Sequence, residues 1–192
     1  MMKILIVNTE MNENAVIAAG IDMICACLCE KGIDTELVWL SRDHFERCIS
    51  CGKCYKRGRC IHEDEVNEIA ARSGEYDGLI VISSAYYGKP GERASAFCER
   101  LFRSAPEGFV RKPACSFIYA RNGMTKDAYD ELNRYYSEAN MYVVTSQYYG
   151  LLNEEGIYAA MDLYIYLLKK LNGETAEAAF QPRRRIDYLL GR

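Results

Sequence analysis

The clearest strand signal of the chain lies in Asp77-Gly78-Leu79-Ile80-Val81-Ile82-Ser83-Ser84-Ala85-Tyr86-Tyr87-Gly88. A turn pair, Asp77-Gly78, leads directly into an unbroken apolar run at residues 79–82. Such a run is typical of a strand that is buried on both faces of a parallel sheet. We therefore predict a central strand over 79–82, a loop over 83–90 and a helix over 92–102.

The same alternation of short apolar runs with helical patterns continues along the chain. It predicts strands at 4–7, 35–40, 79–82, 114–119 and 142–146, and helices at 15–31, 63–72, 92–102, 124–137 and 155–171. Strands that alternate with helices predict an α/β fold, in which right-handed crossovers connect a five-stranded parallel sheet of order 2-1-3-4-5 with helices on both faces. Ligands bind beyond the carboxyl ends of such strands. We expect a site among the loops 8–13, 83–90 and 120–125.

Length and composition set limits on the function. The chain has 192 residues and a formal net charge of −3, which implies no general affinity for nucleic acid. No apolar run reaches the length of a membrane span, and no export signal is recognisable at the start. We predict one domain over 1–175, with a cysteine-rich insertion at 48–60, and a basic tail over 176–192. Nine cysteines without an export signal indicate a reducing, cytoplasmic setting.

The cysteine-rich insertion reads Cys48-Ile-Ser-Cys51-Gly-Lys-Cys54-Tyr-Lys-Arg-Gly-Arg-Cys60. Two residues separate each of the first three cysteines from the next, and Cys60 follows a glycine that permits a turn. Compact runs of this kind are typical of a cubane iron–sulfur cluster, whose ligands are cysteine thiolates. The spacing therefore predicts a [4Fe-4S] cluster held by Cys48, Cys51, Cys54 and Cys60.

Three other interpretations of the cysteines stay open. A structural zinc site usually pairs two CxxC elements across a longer spacer. A disulfide framework belongs to exported proteins. The loop could also bind nothing. In tandem ferredoxins the fourth cysteine follows after three residues and precedes a proline, whereas here the gap is longer and Ile61 follows. His44 and His62 flank the run, as alternative ligands or as ordinary surface residues.

Two stretches resemble the flavodoxin-like NAD(P)H-dependent FMN reductases, particularly the iron–sulfur flavoproteins. One is the cysteine run with the acidic residues 63–65 after it, and the other is 77–88 with the Phe97-Cys98-Glu99-Arg100 helix. The resemblance implies a flavodoxin-like three-layer sandwich that binds FMN. It places around the flavin ring the residues Ser84, Ala85, Tyr86, Tyr87 and Gly88, and Arg121 on the far side of the flavin.

The first loop departs from the family pattern. Family members usually carry a Gly-Ser-Pro start and a turn rich in Ser, Thr and Asn that holds the FMN phosphate, whereas this chain has Asn8-Thr9-Glu10-Met11-Asn12-Glu13-Asn14. Thr9, Asn12 and Asn14 are the expected donors to the phosphate, at the start of a helix that favours anions. Asn14 also fits a helix cap. Glu10 and Glu13 are expected to oppose the phosphate, because like charges repel.

The resemblance implies an electron-transfer flavoenzyme. A nicotinamide, from NADH or NADPH, would give a hydride to FMN, and FMN would pass single electrons to the cluster. The cofactors carry that chemistry, so no catalytic side chain is named. The family tends to form homodimers and homotetramers, and a small-molecule or protein redox partner is expected. The basic residues of the cysteine loop could stabilise a reduced cluster or dock an acidic partner; they are Lys53, Lys56, Arg57 and Arg59.

Two rival functions remain. The chain could be a flavodoxin-like binding module that has lost FMN and keeps the cysteine loop for a cluster or for interaction. Alternatively, it could be a flavin reductase whose cysteine loop is empty. In that case Tyr55 and Ile61 should pack inward and hold the loop in place without metal.

Overall fold

The predicted central strand lies in the middle of a parallel sheet. The computed structural model describes residues 1–40 and 45–174. Its strands are β1 (Lys3–Asn8), β2 (Asp34–Trp39), β3 (Gly78–Tyr86), β4 (Lys89–Pro90), β5 (Pro113–Tyr119) and β6 (Tyr142–Val143). The parallel strands follow the order β2-β1-β3-β5-β6, which is the predicted topology. The short β4 was not predicted, and it pairs antiparallel with β3.

Helices cover both faces of the sheet, as predicted. They are α1 (Ala15–Cys29), α2 (Lys53–Arg57), α3 (Glu65–Ala71), α4 (Glu92–Ser104), α5 (Lys126–Glu138) and α6 (Glu154–Leu171). Successive residues of a strand point to opposite faces, so β3 sends Leu79 and Val81 toward α3, α4 and α5, and Ile80 and Ile82 toward α1 and α6. This double burial explains why the apolar run has no gaps.

Two predicted strands end at other residues than expected, and one short helix was not predicted. The strand predicted at 79–82 continues to Tyr86, because the buried Ser83 and Ser84 still pair with β5 although they are polar. The strand predicted at 142–146 pairs only over Tyr142–Val143. The cysteine segment was predicted without secondary structure, but it contains α2, a helix of five residues between two glycines with positive φ.

Among the described residues, no helix combines the length and apolarity that a bilayer span requires. The predicted tail over 176–192 and His44 lie outside the described residues, and the predicted domain boundary near 175 stays a prediction. Asn14 caps α1, since its side-chain oxygen accepts hydrogen bonds from the amides of Val16 and Ile17.

Candidate functional site

A cleft of about 1060 Å³ opens where β1, β3 and β5 end. This is the edge of a doubly wound sheet at which ligands bind. The cleft is large enough for a nucleotide-sized cofactor, because ligand pockets typically measure about 300–1,000 Å³. Every residue predicted to bind the flavin cofactor lines it: Thr9, Asn12, Asn14, Ser84, Ala85, Tyr86, Tyr87, Gly88 and Arg121. Their role in binding stays a prediction.

Thr9 and Asn14 already have partners within the protein. Thr9 is buried, and its hydroxyl donates a 2.8 Å hydrogen bond to the carbonyl of Ile82. A hydroxyl has one hydrogen to donate, so Thr9 does not have the predicted donor role in this conformation. Asn14 uses its side-chain oxygen for the helix cap, which leaves its amide nitrogen for a ligand. Asn12 is exposed at the mouth of the cleft.

The Glu10 side chain is bound to the backbone at the end of β3. The backbone amide of Ser84 donates a 2.7 Å hydrogen bond to Oε1 of Glu10, which ties the first loop to the end of β3. Arg93 holds the same loop, because its Nε donates to the carbonyl of Thr9 at 3.2 Å and its Nη2 to that of Leu40 at 3.1 Å. Burial lowers the pKa of Arg93, while the carboxylates of Glu65 and Glu10 oppose that effect.

Two tyrosines stand exposed at the tip of the β3–β4 hairpin. Tyr87 and Gly88 both have positive φ, 50° and 77°, and they form the two-residue turn between the paired Tyr86 and Lys89. Consecutive positive φ values match the right-handed twist of a hairpin. Tyr86 is 61% exposed and Tyr87 fully exposed. Both rings are therefore free to contact a ligand in the cleft.

The four cysteines of the insertion line one small cavity. Ile49, Ser50 and Gly52 join them on the loop side, and the opposite wall comes from Ile61, His62 and the end of α4, which contributes Arg100, Arg103 and Ser104. All four thiols are free; Cys51 is exposed and the others are partly buried. Positive φ values at Ser50, Gly52 and Gly58 turn the backbone around the cavity.

The cysteine cavity does not match a site for a single metal ion. Within residues 1–40 and 45–174, no three His, Cys, Asp or Glu side chains are arranged to hold one ion. A tetrahedral zinc site needs its sulfurs around one centre at about 2.3 Å.

Arg100 lines the cysteine cavity with a buried side chain. Its side chain is fully buried and pairs with Asp64 through both terminal nitrogens, at 2.7 and 2.6 Å. It also donates to the carbonyl of Glu46 at 3.0 Å. Burial lowers the pKa of Arg100. Asp64 and the neighbouring Cys60 side chain raise it by a larger amount, so the pKa of Arg100 lies above its ordinary value. A bidentate pair of this kind holds the guanidinium in one orientation.

Asn67 fixes the end of the cysteine loop. Its side-chain oxygen accepts from the amide of Cys60 at 2.8 Å, and its nitrogen donates to the carbonyls of Cys60 and His62. Sequence reasoning missed the roles of Asn67, Asp64 and Arg100. The available signal was Arg100 itself, because a charged residue interrupts the apolar face of α4 between Phe97 and Leu101.

Polar atoms around the cysteine cavity lack partners. Among the described residues, Nε2 of His62, Nε of Arg100 and Oγ of Ser104 are buried and make no hydrogen bond. All three residues line the cavity. The surface role predicted for His62 is therefore wrong for its ring nitrogen. Because buried polar groups normally find a partner, the cavity has the chemistry of a site that receives an electron-rich group.

Phe45 lies between the two sites. The guanidinium of Arg93, which lines the cleft, is 5.0 Å from the centre of its ring, and that of Arg100 is 5.1 Å from it. Arg93 belongs to the first turn of α4 and Arg100 to its last turns. One helix and one aromatic ring therefore connect the cleft to the cysteine cavity.

Comparison with known proteins agrees with this architecture. An iron–sulfur flavoprotein of Methanocaldococcus jannaschii is 28% identical over 121 residues, which cover 61% of this chain and 62% of the relative. An iron–sulfur flavoprotein of Methanosarcina thermophila is 29% identical over 98 residues, which cover 49% and 51%. The chain therefore spans less than two thirds of the length of these relatives.

Solved structures share the fold. A flavodoxin from the domain Archaea matches with a TM-score of 0.58 at 16% identity, over 89% of this chain and 99% of its own. A flavone reductase matches with a TM-score of 0.64 at 11% identity, over 92% and 66%. A family model described as NADPH-dependent FMN reductase matches residues 2–155, which is more than half of the chain. The chain belongs to the NADPH-dependent FMN reductase family.

Proposed function

We propose that this protein is an FMN-dependent oxidoreductase that also carries a [4Fe-4S] cluster, and that it transfers electrons between NAD(P)H or another redox partner and an acceptor. The observation that carries the proposal is the pair of sites at the two ends of α4: a cofactor-sized cleft and a cavity lined by four free thiols. The family supports the flavin, and the names of the relatives support the cluster.

The cleft fits FMN through its aromatic and backbone groups. The exposed rings of Tyr86 and Tyr87 offer apolar surface to a planar ring system, and the positive φ of Gly88 lets the backbone approach closely. Asn12, the Asn14 amide nitrogen and Arg121 are the groups that could bind the phosphate. When bound, FMN supplies both hydride and one-electron chemistry.

The cysteine cavity fits a [4Fe-4S] cluster through Cys48, Cys51, Cys54 and Cys60. Four thiols around one cavity are the ligand set that such a cluster requires. The unpartnered buried polar atoms beside them match the need of an anionic cluster for hydrogen-bond donors. When bound, the cluster supplies one-electron chemistry.

A protein or small-molecule partner could approach over the cysteine loop. Ile49 and Tyr55 are exposed there, 62% and 71%, and basic residues surround them in sequence. These are Lys53, Lys56, Arg57 and Arg59. An acidic redox partner would be attracted by this charge, and its association would weaken with salt. A cytoplasmic location, which keeps the thiols reduced, and a homodimer or homotetramer belong to the same proposal.

A second candidate is a flavodoxin-like binding module without FMN. Glu10 favours this candidate, because its carboxylate already accepts the hydrogen bond of the Ser84 amide, which lies in the loop that would surround the flavin. The other rival, a flavin reductase with an empty cysteine loop, predicts that Tyr55 and Ile61 pack inward. Ile61 is partly buried and lines the cysteine cavity, whereas Tyr55 is 71% exposed, so only one of the two residues behaves as that rival predicts.

The absorption spectrum of the full chain purified without oxygen tests the proposal, together with flavin, iron and sulfide analysis. We expect a flavin spectrum with a broad brown shoulder, and bleaching on addition of NADH or NADPH. Brown protein without flavin would support the binding module, and yellow protein without iron would support the flavin reductase. Protein that stays colourless after incubation with FMN, iron and sulfide would overturn the proposal.

A matched pair of variants assigns the brown absorbance to the cysteine loop. Cys54→Ser removes a proposed cluster ligand, and we expect loss of iron with flavin retained. Cys29→Ser removes an exposed thiol on α1, outside the cysteine cavity, and should leave the iron content unchanged.

A further inference from the structure

Two residues of α4 present unused donors to the cysteine cavity. Arg100 and Ser104 are four residues apart, so they lie on the same face of the helix, and both line the cavity. Arg100 is 1% exposed and Ser104 is 6% exposed. The spacing of the cysteines assigns them no role.

The orientation of Arg100 is fixed by its other contacts. Its two terminal nitrogens are used by Asp64 and the carbonyl of Glu46. The remaining donor, Nε–H, makes no hydrogen bond of ordinary geometry among the described residues, and the Cys60 side chain lies near enough to the guanidinium to interact with it. Leaving a buried donor unpaired destabilises the folded protein. The cavity that this donor borders is walled by cysteine sulfurs.

The hydroxyl of Ser104 also lacks a hydrogen-bond partner among the described residues. A serine in a helix commonly donates its hydroxyl to a carbonyl one turn earlier. The Ser104 Oγ is buried and makes no such bond with any residue that the structure describes. It is the last residue of α4, where the helix reaches the cysteine cavity.

We propose that Nε–H of Arg100 and Oγ–H of Ser104 donate hydrogen bonds to the sulfur atoms of the cluster and raise its reduction potential. The inference rests on the proposed cluster at the four cysteines. One-electron reduction adds one negative charge, so donors aimed at the sulfurs stabilise the reduced form more than the oxidised form. His62 is not included, because its Nε2 is a donor in only one of its two neutral tautomers.

Two substitutions remove these donors, and Arg100→Lys also breaks the bidentate pair with Asp64 and the bond to the Glu46 carbonyl. Ser104→Ala deletes the hydroxyl and leaves the Arg100–Asp64 pair in place. Arg100→Lys keeps the positive charge and a partner for Asp64 but has no Nε–H. A purely structural role of Arg100 predicts a change in stability with an unchanged potential.

The matched control is Arg103→Lys. Arg103 lies one turn from Arg100 and borders the same cavity, but its side chain is 38% exposed and pairs with Glu99. The same substitution at this position therefore tests whether any arginine near the cavity sets the potential, or only the buried one.

The experiment is a reductive titration of the anaerobically reconstituted full chain, followed by electron paramagnetic resonance. We expect Ser104→Ala and Arg100→Lys each to shift the oxidised-to-reduced ratio at a fixed potential about tenfold toward the oxidised form, which is about 59 mV more negative for one electron. Arg103→Lys should match the unaltered protein. If Arg100→Lys loses iron, Ser104→Ala decides the question alone.

The outcomes separate the two proposals. An unaltered protein that takes up no iron and sulfide would overturn the proposed cluster, and this inference with it. A loaded protein whose potential is the same in Ser104→Ala would overturn the inference and leave the proposed function intact.

Discussion

Glu10 takes a role that its position in the chain does not indicate. In the sequence it is a negative charge in the loop expected to hold a phosphate. In the folded protein its carboxylate accepts a hydrogen bond from the Ser84 amide and lies near Arg93. A charge-assisted bond of this kind is worth about 1.5–3 kcal/mol. A flavin that uses the Ser84 amide must therefore displace Glu10.

Replacing Glu10 tests this competition. Glu10→Ser releases the Ser84 amide, and we expect the dissociation constant of FMN to fall about tenfold, which corresponds to about 1.4 kcal/mol. Glu10→Gln removes the charge but keeps an oxygen that can accept from Ser84, so it should tighten binding less. Fluorescence titration of the apoprotein with FMN measures both.

The comparison also separates two causes. If charge repulsion of the phosphate dominates, Glu10→Gln and Glu10→Ser should tighten binding equally, and Glu13→Ser should do the same. Unchanged affinity in all three variants would contradict any role of these carboxylates in FMN binding.

At the scale of elements, α4 and β3 organise the protein. The N-terminal end of α4 borders the cleft and its C-terminal end borders the cysteine cavity. β3 pairs with β1, β5 and β4, and its extension to Tyr86 carries the hairpin tyrosines to the cleft. Both sites lie beside α4, so the packing of α4 and the other helices against β3 sets where the sites are.

Gly78 permits one of these close approaches. A Cβ at this position would lie 2.2 Å from the hydroxyl oxygen of Tyr164 on α6 and 3.1 Å from the carbonyl of Pro113. We expect Gly78→Ala to lower the free energy of unfolding by about 1–3 kcal/mol, the usual cost of overpacking a core. Urea denaturation followed by circular dichroism measures the loss.

The chain offers its own control for this substitution. A Cβ at Gly74 meets nothing within 4 Å, so Gly74→Ala should be close to neutral. Tyr164→Phe removes the clashing oxygen, and Gly78→Ala should cost less in that background. Equal losses for Gly78→Ala and Gly74→Ala would show that the contact with α6 does not limit this position.

For the whole molecule, the central relation is between the two sites. Phe45 packs between Arg93, which holds the first loop of the cleft, and Arg100, which borders the cysteine cavity. Cation–π contacts contribute about 0.5–1 kcal/mol at exposed positions and more when they are desolvated. One ring thus supports the residues that shape both sites.

Phe45→Leu should weaken both sites together. We expect the dissociation constant of FMN to rise about fivefold, which is the effect of losing about 1 kcal/mol at one contact. We also expect the protein to retain less iron after anaerobic gel filtration. Flavin titration and iron analysis on the same preparation measure the two effects.

Phe102→Leu is the matched control. Phe102 packs edge-to-face against Phe109 and Tyr136 in the core, so its replacement should lower stability and leave FMN affinity and iron content unchanged. Loss of iron in Phe45→Leu with unaltered FMN affinity would show that the ring supports the cysteine cavity alone.

Local sequence patterns were enough to predict the order of strands and helices, the sheet topology, the cleft loops and the grouping of the four cysteines. These features follow from local patterns: apolar runs mark buried strands, and short spacing forces thiols into one loop. The prediction ended β3 too early. Ser83 and Ser84 pair with β5 although they are polar, so the apolar pattern that marks a buried strand stops before them.

The contacts of the side chains in the two sites, in contrast, depend on how distant parts of the chain pack together. Glu10 meets an amide 74 residues away, and Arg100 meets Asp64 across 36 residues. Such contacts depend on the packing of α4 and the loops against β3, and no local pattern specifies them. The same packing leaves the donors of Arg100 and Ser104 unpaired beside the cysteines, because burial by neighbouring elements removes water from them.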